Sequence, residues 1–334
     1  MTSAPPAAHA PRIVFLGTPR FAVGTLNALV TAGLNVVAVV TAPDRPAGRG
    51  LALRCSEVKE RALELGLPIL QPEKLKDPDF LRELADLRAD VQVVVAFRML
   101  PEVVWNAPAL GTINLHASLL PDYRGAAPIN WAIINGERTS GVTTFRLQHA
   151  IDTGDILLQE RMDISPDETA GELHDRMMVL GAALMVRTLQ GLFAGTLQAR
   201  PQEEAVRTHH APKLSTATGL IDPLRSAQAT HDLIRGLSPY PGTWCQWVIP
   251  GKAPSVLKVF RSRRATITDP AAPGTFRITQ DRLELRCADG WLELVEVQPE
   301  GRKRMNAADL VRGMQVREGI LVYNAPPPPP AEAP

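Results

Sequence analysis

Four short apolar runs, separated by helix-length segments, constrain the first half of this chain more than any other feature. Arg12 to Leu16, Val36 to Val40, Val91 to Ala96 and Thr112 to Leu115 are continuously aliphatic or β-branched instead of alternating with polar residues. A strand that is apolar on both sides needs cover on both faces, which helical crossovers supply and hairpins do not. Helical stretches separate the runs: one from Pro19, suited to a first helical turn, through about Ala32, then Val58 to Leu65 and Asp79 to Leu87. The alternation predicts an α/β fold built on an open, mostly parallel sheet.

The second half reads differently. Ile156 to Leu158 suits one more strand, and Thr169 to Phe193 one long helix with Leu173, Met177, Leu180 and Leu184 along a single stripe. Periodicity fades from Ala199 to Asp222, where Pro201 and Pro212 interrupt it, so this stretch reads as a linker. Ser226 to Leu237 is a short helix, followed by strand candidates punctuated by Pro250-Gly251, Pro273-Gly274 and Asp289-Gly290. That spacing predicts a small antiparallel β-barrel. The expected division is a disordered tail over 1–11, a catalytic domain over 12–198, a linker over 199–222, a barrel domain over 223–323 and a disordered proline-rich tail over 324–334.

Composition narrows the class. Hydrophobic residues at 45% and charged residues at 21% describe an ordinary globular chain, and no apolar run reaches the length of a membrane span. The Ala/Pro-rich start lacks the basic-then-apolar layout of a signal peptide. Cys55, Cys245 and Cys287 are too sparse for a disulfide framework and have no metal-ligand spacing, so a reducing cytoplasm and no metal are expected. The net charge of +1 is uneven: residues 1–205 hold 19 Lys/Arg against 23 Asp/Glu, and residues 206–334 hold 17 against 12. A positive second half suits a polyanion docking there, and scattered surface charge accounts for it equally well.

Chemistry concentrates after the fourth run. Asn114 and His116 lie two apart, so on a strand both side chains share one face. At the strand's C-terminal end they would project into the crevice where open α/β sheets bind ligands. Asp152 can supply a carboxylate that orients or charges the imidazole. An amide donor, an imidazole and a carboxylate suit the transfer of a carbonyl carbon between two nitrogens. The donor stabilises a developing oxyanion, an effect of roughly 3–4 kcal/mol, and the imidazole moves a proton to the leaving nitrogen. The plainer alternative is a strand-end Asn and His satisfied by nearby backbone. Ser118-Leu119-Leu120-Pro121 is a turn-prone loop that can offer backbone amides and an apolar wall to a flat heterocycle. Pro43 to Gly50 carries Arg45 and Arg49 between prolines and glycines, charges suited to phosphate oxygens. Arg261, Arg263 and Arg264, with Arg302-Lys303-Arg304, form two further basic runs without interleaved aromatics.

These motifs carry a resemblance. Asn114-x-His116-x-Ser118-Leu119-Leu120-Pro121-x-Tyr123-Arg124-Gly125 followed by Asp152-Thr153-Gly154-Asp155 resembles the formyltransferases that use 10-formyltetrahydrofolate. Phe15-Leu16-Gly17-Thr18-Pro19 with Phe21-Ala22, Pro43 to Gly50, and Ser238-Pro239-Tyr240-Pro241-Gly242-Thr243-Trp244 are similar to the methionyl-tRNA formyltransferase family in particular. The likeness runs from about Arg12 to about Tyr323. It implies a Rossmann-like sheet followed by an oligonucleotide-binding-type barrel, and a cytoplasmic monomer that does not engage membranes. It implies Asn114, His116 and Asp152 as the catalytic set and Ser118 to Pro121 as folate contacts. Arg45 and Arg49 would lie on a loop entering the acceptor stem of initiator methionyl-tRNA. Two rivals accompany it: a formyltransferase for a UDP-linked amino sugar, and a non-catalytic tRNA- or folate-binding module. The Arg45/Arg49 loop and the length of the likeness argue against the first, and the intact Asn/His/Asp set against the second. The sequence departs from the family pattern at Ala96-Phe97-Arg98-Met99-Leu100-Pro101, one residue short with Arg98 near a usual glycine, and at Ala150.

Overall fold

The computed structural model describes residues 10–47, 52–203, 209–266, 269–314 and 318–321. Arg49, residues 1–9 of the expected N-terminal tail and all of the expected C-terminal tail lie outside them.

The first sheet has seven strands in the order Ile156–Asp163, Thr139–Arg146, Thr112–His116, Val91–Val95, Arg12–Gly17, Asn35–Val40, Ile69–Leu70. From Thr112–His116 to Ile69–Leu70 every pairing is parallel. The continuous apolar runs are the reason: Ile13 to Leu16 and Val93 to Val95 are buried, so both faces are covered. Strand order reverses at Arg12–Gly17, which lies between Asn35–Val40 and Val91–Val95 and makes the topological switch point beside which such sheets bind ligands. The helix Arg20–Thr31 buries Phe21, Ala22, Leu26 and Leu29, with Pro19 extended at its N-cap, so the helix begins one residue later than expected. Ser56 and Asp77 cap the helices Glu57–Glu64 and Pro78–Asp86 with side-chain oxygens.

Several features depart from the sequence reading, among them the edge strand Ile69–Leu70 and the helix Pro128–Ile134. Thr139–Arg146 is a strand, antiparallel to Thr112–His116, where no strand was expected. The basic loop begins as a two-stranded ribbon, Arg45–Ala47 paired antiparallel with Ala52–Arg54. The long helix, Ala170–Phe193, is 24 residues and apolar enough by length and composition to cross a membrane, although polar residues interrupt its apolar runs. Leu173, Met177, Leu184, Met185 and Leu189 on it are buried in the protein, while Val179 is exposed.

The second sheet is an antiparallel barrel. Ser255–Ala265, Thr243–Val248, Glu318–Leu321, Thr275–Thr279, Arg282–Arg286 and Trp291–Pro299 pair in that order, and Trp291–Pro299 pairs back onto Ser255–Ala265 to close the ring. Cys245, Leu257, Val259, Phe276, Leu285, Leu292 and Val297 form its core.

Two compact units emerge. One comprises Met1–Arg124, Gly141–Met162 and His174–His209; the other comprises Gly125–Ser140, Asp163–Leu173 and His210–Pro334. The second unit thus takes two segments from within the expected catalytic domain, and the first extends past Ala199.

Candidate active site

The site lies wholly in the first unit. Asn114 and His116 stand at the C-terminal end of Thr112–His116, next to the end of Val91–Val95. Register places Phe145 across from Asn114 and Thr143 across from His116. His116 is 7% exposed, and its ring meets the Phe145 ring edge-on at 6.5 Å between centroids.

Both imidazole nitrogens face oxygen. Nε2 is 2.9 Å from the Tyr123 carbonyl, and Nδ1 is 3.8 Å from Asp152 Oδ2. A carbonyl only accepts, so Nε2 carries the proton in that pair. The Nδ1 side then faces the Asp152 carboxylate at 3.8 Å, near enough for charge attraction but longer than a hydrogen bond. The expected local backbone contact is therefore present, and it coexists with the carboxylate partner. Asn114 is half-buried, and no described residue hydrogen-bonds its carboxamide. Asp152 sits in a turn at φ +54, the left-handed region that Asp tolerates better than most residues. Gly154 two residues on admits no side chain, since a Cβ there would lie 1.6 Å from the Arg146 carbonyl oxygen.

The Ser118–Pro121 loop is tied internally. Ser118 Oγ donates to the Asp122 carbonyl at 2.6 Å. Thr143 Oγ1 donates to the Ser118 carbonyl (2.6 Å) and accepts from the Leu120 amide (3.1 Å) and from Gln159 Nε2 (3.0 Å). Gln159 also donates to the Leu120 carbonyl at 2.9 Å. Thr143 therefore uses its whole hydroxyl capacity on this loop. The Leu120 amide is consumed, and Leu119 and Pro121 remain half-buried with apolar surface to offer.

Sequence reasoning missed the residues that brace the site. Thr143 and Gln159 lie on strands whose register only the fold reveals. Gln202 and His209 fall in the stretch expected to be a linker. Gln202 Nε2 donates to the carbonyls of Asp152 and Gly154, both at 2.8 Å, and its Oε1 accepts from Arg124 Nε (3.1 Å) and Nη2 (2.6 Å). The His209 ring stacks on Tyr123 at 5.3 Å between centroids. Arg124 thus spends two donors bracing the loop.

Arg45 is exposed on its ribbon, and no carboxylate pairs with it among the described residues. Its neighbour Asp44 binds Lys59 at 2.5 Å and Gln71 at 2.9 Å, and those hydrogen bonds, Lys59 first, hold its carboxyl below the usual carboxylate range. Arg98 donates to the carbonyls of Pro72 and, at 2.8 Å, Glu73. Burial first, and the charge of Arg45 second, push the Arg98 pKa down. Asn114, His116 and Asp152 therefore form one cluster, with Ser118 to Pro121 continuing from it.

The family described as formyl transferase matches residues 11–189, and its C-terminal domain matches residues 213–315. A methionyl-tRNA formyltransferase of Bacteroides fragilis is 47% identical over 314 residues, covering 92% of this chain and 97% of that protein. Its counterpart in Flavobacterium johnsoniae is 45% identical over 312 residues, covering 93% and 99%. Among solved structures, an N-formyltransferase from Helicobacter canadensis, in complex with folinic acid and dTDP-3-aminofucose, superposes with a TM-score of 0.65 at 18% identity, covering 86% of this chain and 99% of that one. HypX from Aquifex aeolicus, in complex with tetrahydrofolic acid, gives a TM-score of 0.62 at 16% identity, covering 91% of this chain and 47% of that one.

Proposed function

We infer the reaction from one premise: the chain belongs to the formyl transferase family. It transfers the formyl group of 10-formyltetrahydrofolate to the α-amine of methionine on initiator methionyl-tRNA. The observation that carries this reading is the 47% identity to a methionyl-tRNA formyltransferase, continuous over 92% of the chain and hence across sheet and barrel alike. The sugar-modifying structure, at 18% identity, shares the fold.

In the reaction the methionine nitrogen attacks the formyl carbon, the bond from that carbon to N10 breaks, the attacking nitrogen loses a proton and N10 gains one. Asn114 donates its free carboxamide N–H to the formyl oxygen as negative charge develops there. His116 passes a proton toward N10. Asp152, 3.8 Å from His116 Nδ1, orients the ring and balances its charge when it is protonated. The carboxamide without a described partner fits this role, since it is open to a substrate oxygen. Leu119 and Pro121 give the folate ring system an apolar wall. Arg45 and Arg49 contact tRNA phosphates. Residues 12–198 carry the chemistry and 223–323 the docking of the tRNA, and the chain works as a cytoplasmic monomer.

The test is formyl transfer from 10-formyltetrahydrofolate to methionyl initiator tRNA, with methionyl elongator tRNA and a UDP-linked amino sugar as competing acceptors. Transfer to the initiator alone is expected. Preferential transfer to the sugar would refute the tRNA assignment.

A further inference from the structure

We propose that Gln202 is a positioning residue of the active site, setting the spacing between the two oxygen partners of the His116 imidazole. The proposal rests on the reading that His116 and Asp152 do the chemistry, and goes beyond it. His116 Nε2 is held by the Tyr123 carbonyl and Nδ1 faces Asp152. Those partners lie on separate loops. Gln202 joins them: its Oε1 accepts two hydrogen bonds from Arg124, the residue after Tyr123, and its Nε2 donates to Asp152 and Gly154.

The four bonds use both donors and both acceptor sites of a carboxamide. Glutamate keeps the acceptors and loses both donors, and asparagine is one methylene too short to span the same gap. Two arginine N–H groups on one oxygen polarise the amide and strengthen its donors toward the opposite loop.

The Asp152 turn needs such a hold. At φ +54 its backbone lies in a sparsely populated region that persists only when surroundings impose it. Gly154, against the Arg146 carbonyl, limits where the turn can go on one side, and Gln202 ties its carbonyls on the other. Other bonds also hold the turn, among them Thr153 Oγ1 to the Ala150 carbonyl at 3.0 Å, but losing the two from Gln202 lets the Asp152 carboxylate shift relative to Nδ1, a gap already 3.8 Å wide. Displacements of about 1 Å at a reacting constellation cost about 100-fold in rate.

The experiment is a double-mutant cycle in the full-length enzyme, read as single-turnover formyl transfer to methionyl initiator tRNA. Gln202→Ala and the isosteric Gln202→Glu are each expected to lower the rate by about 100-fold, with tRNA affinity little changed and each variant still folded at the assay temperature, though with a lower thermal midpoint because four hydrogen bonds are lost or weakened. In an Asp152→Ala background, adding Gln202→Ala is expected to slow the reaction no further, because its effect passes through Asp152. Independent, multiplying losses would show a merely structural role and overturn the proposal. So would full activity in Gln202→Glu, which also covers the case of Gln202→Ala failing to fold. If Asp152→Ala alone keeps full turnover, the catalytic reading itself falls and this proposal with it; a crippled Asp152→Ala beside an active Gln202→Ala would sink only the proposal.

Discussion

Asn114→Ala isolates a single donor. The carboxamide stands half-buried at the strand end that also carries His116, and the described fold makes no hydrogen bond to it. Its removal strands no partner, so stability should change by less than about 0.5 kcal/mol, as for an ordinary surface substitution. The rate should respond very differently. A preorganised N–H aimed at a developing oxyanion supplies roughly 3–4 kcal/mol of barrier. At about 1.4 kcal/mol per decade, the loss is between about 10²- and 10³-fold. The charge exists mainly at the transition state, so the loss falls on kcat and leaves KM for tRNA near its parent value. Single-turnover formyl transfer with both substrates saturating measures it directly, with a thermal melt to verify folding. Asn114→Asp keeps the size and removes the donor, so it should be at least as slow. A loss smaller than about 1 kcal/mol in either variant, roughly fivefold, would refute the oxyanion role.

Three more outcomes follow from particular contacts. Arg45 is exposed with no described carboxylate partner, so Arg45→Ala should leave the melt unchanged while weakening tRNA binding. The slope of log affinity against log salt should shrink by about 0.7–0.9 for each phosphate that is no longer neutralised, and an unchanged slope would remove Arg45 from the interface. Gly154→Ala would place a Cβ 1.6 Å from the Arg146 carbonyl oxygen and must displace the Asp152 turn, so formyl transfer should collapse; normal kcat in a folded variant would contradict that. His231 is 3% exposed, and burial chiefly depresses its pKa, reinforced by Arg235 and opposed by the Pro166 carbonyl, Asp232 and Asp167. A depressed folded pKa means that the unfolded chain takes up the proton first. Stability should therefore fall as pH drops below about 6.5, and urea midpoints for His231→Gln should fall less steeply over the same range.

The fold's repeating parts were legible because their signals are local. Buried parallel strands need unbroken apolar runs, and Arg12–Gly17, Asn35–Val40, Val91–Val95 and Thr112–His116 appeared within a residue or two of where those runs fall. The stripe of Leu173, Met177 and Leu184 placed the long helix in the same way. Asn114 and His116 were legible as a pair, since strand geometry alone puts residues two apart on one face. Thr139–Arg146 was not. Its Thr139, Ser140 and Gly141 start resembles a turn and hides the strand-favouring run Val142 to Phe145 that follows, which pairs with Thr112–His116 about thirty residues away.

The bracing of the site was illegible for a related reason. A glutamine has no sequence signature for clamping, and Gln202 lies 50 residues from Asp152 and 78 from Arg124. The fading periodicity after Ala199 suggests a linker, yet the described residues there are held by Gln202's side-chain hydrogen bonds and by backbone bonds between Arg200 and Ile156 and between His209 and Tyr123, none of which leaves a period. Loss of pattern thus had two physical meanings, and only contact geometry separates them. The same holds for Thr143, whose hydroxyl organises Ser118, Leu120 and Gln159 but whose place in the sequence says only that a β-branched residue suits a strand. Groups that meet the substrate announce themselves by chemical type, because few side chains perform their chemistry. Groups that hold those side chains in place are chosen by distance, so Gln202 and Thr143 came into view only once the chain was folded.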